Sequence, residues 1–280
     1  MEEKREKEFI TKEVEKRRTR IGSSPLNILK LEVGREVWNS SKLPRLYGEV
    51  IGHPQTSDEL RRSTEAKLLR QRHNLLTATP ASGSTAQEKK SLQAEVEELV
   101  NGFVLLKIPD SLAWNAYIER CNYERLEDYP TSTLQQYLQL LPNENLCSMI
   151  KAFLLFHGQP LTEDEEDSDS EKQVKQEEEE EDPFALALEG FSQNQNSIFA
   201  HRTMAEFYLN EEDWDQARKV AESGLILIRQ SEKDYGGPLP LAQKAFNICI
   251  ATALVYLFPP KHHLRAAGLL DDVLSVDPDN

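Results

Sequence analysis

The side chains able to do chemistry are few and scattered along the 280 residues. Cys121, Cys147 and Cys249 are the three cysteines, and none sits in a CxxC pair or beside a histidine. Neither a disulfide framework nor a zinc site is encoded, and the pattern fits a reducing compartment. His262 and His263 are adjacent. On a helix, neighbouring side chains project about 100° apart, so these two cannot share a metal as an i,i+4 pair would; a place in a turn or at the surface follows. The 12 glycines never fall into GxGxxG or GxxxxGK[ST], and GxSxG and HExxH are absent. No phosphate-cradling loop, nucleophile elbow or metalloprotease helix is present. The residues therefore give no catalytic constellation, no cofactor set and no metal set, and the expectation is a chain that is not an enzyme. Ser168 and Ser170 remain, embedded in Asp and Glu. That context suits acid-directed kinases, and each phosphate would add about 1.5–2 negative charges; an unmodified spacer is the equal alternative.

Charge points to interaction rather than catalysis. The formal net charge is −15, from 48 acidic and 33 basic residues. Eleven of those net charges belong to Glu163–Asp182, which holds 13 acidic residues, two lysines and one apolar side chain, Val174. Such a stretch cannot bury enough apolar surface to order itself and reads as a disordered acidic insertion. The first 75 residues carry a small positive excess, with no concentrated basic patch of the kind that phosphate binding requires. Arg61, Arg62, Lys67, Arg70 and Arg72 crowd one helix face, but Glu65 lies four residues from Arg61, so a mixed-charge solvated face is the plainer reading and RNA contact would be weak or indirect. The stretch Ile248–Pro260 falls short of the roughly 20 apolar residues of a membrane span, and the N-terminus is charged.

The elements that must carry these residues are helical. Thr56 with Glu59 and Thr85 with Glu88 have capping-box spacing. Behind the first come Leu60, Thr64, Leu68, Leu69, Leu75 and Leu76; behind the second, Leu92, Val96, Leu99, Val100, Phe103 and Val104, each at helical intervals. Pro109 stops the second helix and Asp110 can cap the next, which carries Leu112, Trp114, Tyr117 and Ile118. Pro130 and Pro142 bracket a further helix, and Leu146, Met149, Ile150, Phe153 and Leu154 mark another ending near Gly158. No period-2 alternation or Asn-Gly hairpin appears. The expected divisions are a charged segment at 1–30, an irregular helical-hairpin region at 31–160, an acidic linker at 161–183 and a repeat region at 184–280.

That last region fits a 34-residue period. With Ala217 at position 20, Met204, Ala205, Tyr208 and Gly224 fall at positions 7, 8, 11 and 27. Small residues at 8, 20 and 27 let two antiparallel helices approach, while large ones at 7 and 11 fill the groove beside the next pair. Arg229 replaces the proline that would close the second helix, which should therefore run on. A second unit puts Ala266, Leu270, Val273 and Pro278 at 20, 24, 27 and 32, and Ala253 and Tyr256 at 8 and 11. It ends where a following repeat would begin, which suggests an incomplete array. Trp114 and Trp214 read as packing residues. The fold class is all-α, a tetratricopeptide-like helical-hairpin solenoid interrupted by the acidic insertion.

Three blocks go beyond a generic repeat: Thr56–Leu76 (TSDELRRSTEAKLLRQRHNLL), Glu95–Trp114 (EVEELVNGFVLLKIPDSLAW), and the region from Ser197 through His201, Arg202 and Ala251–Tyr256 to His262–Asn280. Together they resemble the fungal-type tetratricopeptide scaffold subunits of superkiller complexes, over roughly Val37–Asn280. The resemblance implies a cytoplasmic protein, with a nuclear pool not excluded. It also implies a non-enzymatic role and partners in the superkiller helicase and propeller subunits and an exosome adaptor, in support of 3′-to-5′ mRNA decay. A competing reading is a peptide-clamp co-chaperone. Its ligand-holding positions 2, 5, 6 and 9 correspond to Phe199, Arg202, Thr203 and Glu206, of which only Arg202 has the required character, while Glu206 would repel a peptide carboxylate.

Overall fold

A computed structural model describes residues 43–81, 83–161, 182–257 and 259–276. The described residues form eleven α-helices, two short 3-10 turns and no strand. In chain order the helices are α1 (Leu43–Ile51), α2 (Asp58–Ala78), α3 (Ala86–Leu105), α4 (Ser111–Glu119), α5 (Thr131–Leu140), α6 (Leu146–Phe156), α7 (Pro183–Gln193), α8 (Ile198–Asn210), α9 (Trp214–Tyr235), α10 (Pro240–Leu257) and α11 (His263–Val276). The chain divides into two compact units, residues 1–75 and 76–280. In the first unit Leu46 and Val50 of α1 pack with Leu60 of α2. The basic α2 face is diluted as its sequence implies: Arg61 and Arg62 oppose the desolvation that pushes the Glu65 carboxyl upward, and Arg70 turns back to the Ala66 carbonyl at 2.9 Å.

Neither expected capping box forms. The Thr56 hydroxyl is buried and donates to the Val50 carbonyl at 2.6 Å, and the cap of α2 passes to Ser57, whose Oγ accepts from Leu60 N at 3.4 Å. Thr85 likewise donates, to Pro80 O at 3.0 Å, instead of accepting from its helix. A hydroxyl is both donor and acceptor, and where a carbonyl left over from the preceding turn lies within reach it competes with the helix amide. Asp110, Asp182 and Asp213 have carboxylates that only accept, and Ser197 donates to Glu119 while still accepting from Ala200 N, so these four cap α4, α7, α9 and α8 through their side chains.

The second unit is a succession of antiparallel helix pairs. α6 packs on α7, α8 on α9 and α10 on α11; α9 also packs on α10, and α6, α8 and α10 follow one another along one side. Close approach depends on small residues. A Cβ on Gly190 would stand 2.7 Å from Met149 N, and one on Gly224 would overlap the Phe246 ring. Ala217, Ala221, Ala253 and Ala266 are all buried. α9 runs on to Tyr235, past the point where a closing proline would stand, and stops at Gly236, whose φ of 77° only glycine adopts freely.

The acidic stretch falls at a different kind of place from the region boundary read in the sequence. α6 and α7 flank it, and they are the two helices of one hairpin: Met149 meets Gly190, and Asn194 Nδ2 donates to Asn145 O at 2.9 Å. Residues 162–181 lie outside the described residues, as do Ser168, Ser170, Pro278 and the 1–30 segment. Asp182 belongs to the helix, because its carboxylate accepts from Phe184 N at 3.0 Å. α10 is the one described helix long and apolar enough to cross a membrane, which differs from the expectation of none. Its apolar residues face α8, α9 and α11, as a core helix requires.

Two outcomes follow. Gly190→Leu and Gly224→Leu should each destabilise the chain by about 1–3 kcal/mol through overpacking against rigid neighbours, measured as a lowered urea midpoint, whereas the same change at exposed Gly268 should not. Replacing residues 163–181 by a short glycine-serine linker while retaining Asp182 should leave the thermal midpoint within about 2 °C; a larger fall would show that the stretch is part of the packed unit.

Candidate functional site

The repeat-signature residues do not gather into a pocket; they form the seams between helices. Met204, Ala205, Ala217, Ala253, Ala266 and Val273 are buried, and Gly224 lies against Phe246. The two tyrosines at position 11 meet aromatic residues at corresponding places, with different ring geometry. Tyr208 meets Phe184 edge-on with centroids 5.8 Å apart, and Tyr256 stacks on Trp214 at 4.5 Å. In each case a tyrosine near the end of one hairpin's first helix covers an aromatic residue opening the preceding hairpin's second helix. Ala187 follows Phe184 by three residues as Ala217 follows Trp214, so α6/α7 is a third hairpin of the same kind, hidden in the sequence by the acidic residues inserted at its turn. Tyr256 remains 58% exposed and Leu270 39%, so these two large residues are not the groove fillers that their positions suggest.

Sequence reasoning missed the polar segment that joins these hairpins. Residues Glu119–Glu124, from the last residue of α4 into the loop after it, reach three helix termini in succession. The Glu119 carboxylate accepts from Ser197 Oγ and, at 2.6 Å, from Ile198 N, at the start of α8. Arg120 donates to Ser231 Oγ at 3.2 Å and to the Gly236 and Gly237 carbonyls at 2.9 and 3.2 Å, at the end of α9, with its guanidinium 5.7 Å from the Tyr235 ring centroid. Asn122 Oδ1 accepts from Leu241 N and Ala242 N at 2.9 and 3.1 Å, at the start of α10. In return, Arg202 of α8 donates to the Tyr123 and Glu124 carbonyls at 2.6 and 2.8 Å and lies 5.5 Å from the Tyr129 ring centroid. Lys244 of α10 pairs with Glu124 at 2.9 Å. The sign at each end is the favourable one, acceptors at helix starts and cations at helix ends.

Buried Lys89 of α3 does comparable work. Its ammonium meets the carbonyls of Leu76, in the last turn of α2, and Thr79, just past it, at 3.2 and 2.8 Å, and those of Lys233 and Asp234 in the last turn of α9 at 2.7 and 2.9 Å. The only cue in sequence for these residues is a charged or amide side chain close to apolar neighbours; apart from the Leu76 and Thr79 carbonyls, 13 and 10 positions from Lys89, their partners lie 78 to 145 positions away.

The geometry also decides what this region does not offer. Arg202, the single clamp-like residue, already has its guanidinium on the chain's own carbonyls, and Phe199 and Thr203 are buried. Burial pushes the Cys121 and Cys249 thiols up to about 12, so both stay protonated and weakly nucleophilic at neutral pH. His262 lies in the turn before α11 and His263 opens that helix. Among the described residues, no group of three or more His, Cys, Asp or Glu is arranged to hold a metal. Trp114 is buried, donating to Ile108 O at 2.8 Å, and Trp214 serves the stack already described.

Interlocking helical hairpins with small-residue seams define an all-α, tetratricopeptide-like helical-hairpin solenoid fold. The sequence profile of the tetratricopeptide repeat family matches residues 1–65, a stretch outside the hairpins at 146–276, so the repeat character of those hairpins rests on their packing. The chain is similar to Superkiller protein 3 of Schizosaccharomyces pombe, 26% identical over 299 aligned residues that cover 97% of this chain and 21% of that protein. It is also similar to Superkiller protein 3 of Saccharomyces cerevisiae, 25% identical over 298 residues covering 86% and 20%. The chain spans about a fifth of the length of these relatives.

The joint between α4 and α8 should be sensitive to pH. Desolvation raises the Glu119 carboxyl to about 7, against the lowering effect of hydrogen bonds from Ser197, Ile198 and Phe199. A carboxyl whose folded pKa is raised binds its proton more tightly in the folded state; its contribution is full below the unfolded value of 4.5 and is lost as pH rises through about 7. Glu119→Gln should therefore be more stable than the native chain at pH 8, with the difference vanishing near pH 5, in urea titrations at both pH values. Lower stability at pH 8 would mean that the charged cap outweighs its desolvation. Arg202→Met should cost about 2–3 kcal/mol, since two charge-assisted bonds to enclosed carbonyls are lost, measured in the same assay.

Proposed function

We propose that this chain is a non-enzymatic scaffold segment of a superkiller-type complex, which assists the cytoplasmic RNA exosome in 3′-to-5′ mRNA decay by holding protein partners. The observation that carries the reading is the similarity along 97% of the chain to a protein named Superkiller protein 3. The packing is consistent with it: the polar side chains with the most partners are spent within the chain, Lys89 and Arg120 on helix ends and Arg202 on the loop carbonyls of Tyr123 and Glu124, which is how a rigid spacer uses charge. Partners by this reading are the superkiller helicase and propeller subunits and an exosome adaptor. RNA contact is at most indirect or weak, and no membrane, cofactor or metal is involved. Cytoplasmic residence with a possible share in the nucleus is part of the same proposal.

The co-chaperone alternative loses ground because its one suitable residue, Arg202, is engaged by Tyr123 and Glu124. Affinity purification of the product tagged at its own locus should recover a helicase, a propeller protein and exosome components. Recovery of chaperones without any of these would refute the scaffold reading.

A further inference from the structure

Between α8 and α10 lies a groove of about 400 Å³ that none of the foregoing uses. Its floor is apolar: Ala205 and Leu209 from α8, and Phe246, Ile248 and Cys249 from α10. The segment that follows the polar joint, Glu124–Glu127, forms one wall. The cations near the groove are largely committed elsewhere. Arg202 holds two carbonyls and Lys244 pairs with Glu124, leaving exposed Arg125 as the basic side chain at the rim.

The carboxylates are not balanced in the same way. Glu206 of α8 is half-buried in the groove, and no hydrogen bond or salt bridge ties it to any described residue. Burial pushes its carboxyl upward, Arg202 draws it down, and the charge of Glu127 pushes it up again, so two carboxylates repel each other across the opening. A half-desolvated carboxylate facing a second one gains most from a cation brought in from outside, and the apolar floor gains from a large side chain that displaces its water.

We propose that this groove docks a protein segment bearing one or two large apolar side chains flanked by lysine or arginine. The required partner chemistry is opposite to that of an acidic-tail clamp: the apolar side chain sits over Phe246 and Ile248, and a flanking cation meets Glu206 and Glu127. A volume of about 400 Å³ suits one or two side chains rather than a whole helix. This deepens, and rests on, the reading of the chain as a protein-binding scaffold. It can fail separately, since a tagged chain would still bring down superkiller components through other surfaces if this groove were idle.

The probe is a fluorescein-labelled peptide of leucine and lysine, compared with one of the same pattern in leucine and glutamate, titrated with the complete 280-residue chain at physiological salt and read by anisotropy. The lysine peptide should bind and the glutamate peptide should not. Glu127→Lys, at an exposed position, should weaken binding, and Glu127→Lys with Glu206→Gln should weaken it by at least about tenfold, with the thermal midpoint within about 2 °C. Thr252→Trp, which fills the groove, should act similarly without changing charge. Deleting 163–181 controls for general attraction to the acidic stretch and should change affinity by less than about twofold. The proposal is overturned if that deletion abolishes binding while the groove variants bind as the native chain does, or if both peptides bind alike.

Discussion

Helix ends that are shut off from water must find partners for their unpaired amides and carbonyls, and the repeat region depends on how that requirement is met. Here the partners come from elsewhere in the chain. Glu119, Arg120 and Asn122 take the start of α8, the end of α9 and the start of α10, and Lys89 takes the carbonyls at the ends of α2 and α9. Except for the contact of Lys89 with the end of α2, these contacts join residues 78 or more positions apart, so they form only when the hairpins stack. The same contacts then hold the hairpins in register more specifically than apolar packing alone, which tolerates sliding. Charge enclosed in this way is directional and costly to misplace.

The seams between the helices set the other constraint. Gly190, Gly224 and a set of buried alanines keep paired helices close, and aromatic residues close the gaps around them. Tyr129, Phe153 and Phe199, mutually 5.3 to 6.2 Å apart, fill the space among α6, α8 and the segment before α5. The Tyr208–Phe184 and Tyr256–Trp214 pairs lie at corresponding places in successive hairpins, the first edge-on and the second stacked. α6 and α7 pack on each other although residues 162–181 stand between them in the sequence, because extra length in a connection adds little closure entropy. The concentration of negative charge in one place therefore does not divide the fold, although in the sequence it looks like a division.

Most of the fold was legible from the residues, and the omissions have identifiable causes. Helical spacing of Leu92, Val96 and Val100, or of Met149, Ile150 and Phe153, locates helices because burial on one face needs that period. Asp110 and the stop at Gly158 could be read because capping and left-handed termination are local. The Thr56 and Thr85 caps misled because a hydroxyl's choice between an amide and a carbonyl depends on what the turn brings near. The α6/α7 hairpin escaped the repeat pattern because the period is broken by inserted residues, and neither Ala187 nor Gly190 is distinctive alone.

By itself the sequence determined an all-α chain, the small-residue positions of its two clearest hairpins and the concentration of its acidity, because periodicity, side-chain volume and charge are properties of short stretches. Only the tertiary structure decided that Arg202 closes on Tyr123 and Glu124 instead of waiting for a ligand, that Lys89 is buried among four carbonyls, and that Glu206 is left facing an apolar groove. Whether a charged side chain is spent or free depends on which distant backbone groups lack partners when the helices pack, and no local pattern carries that information.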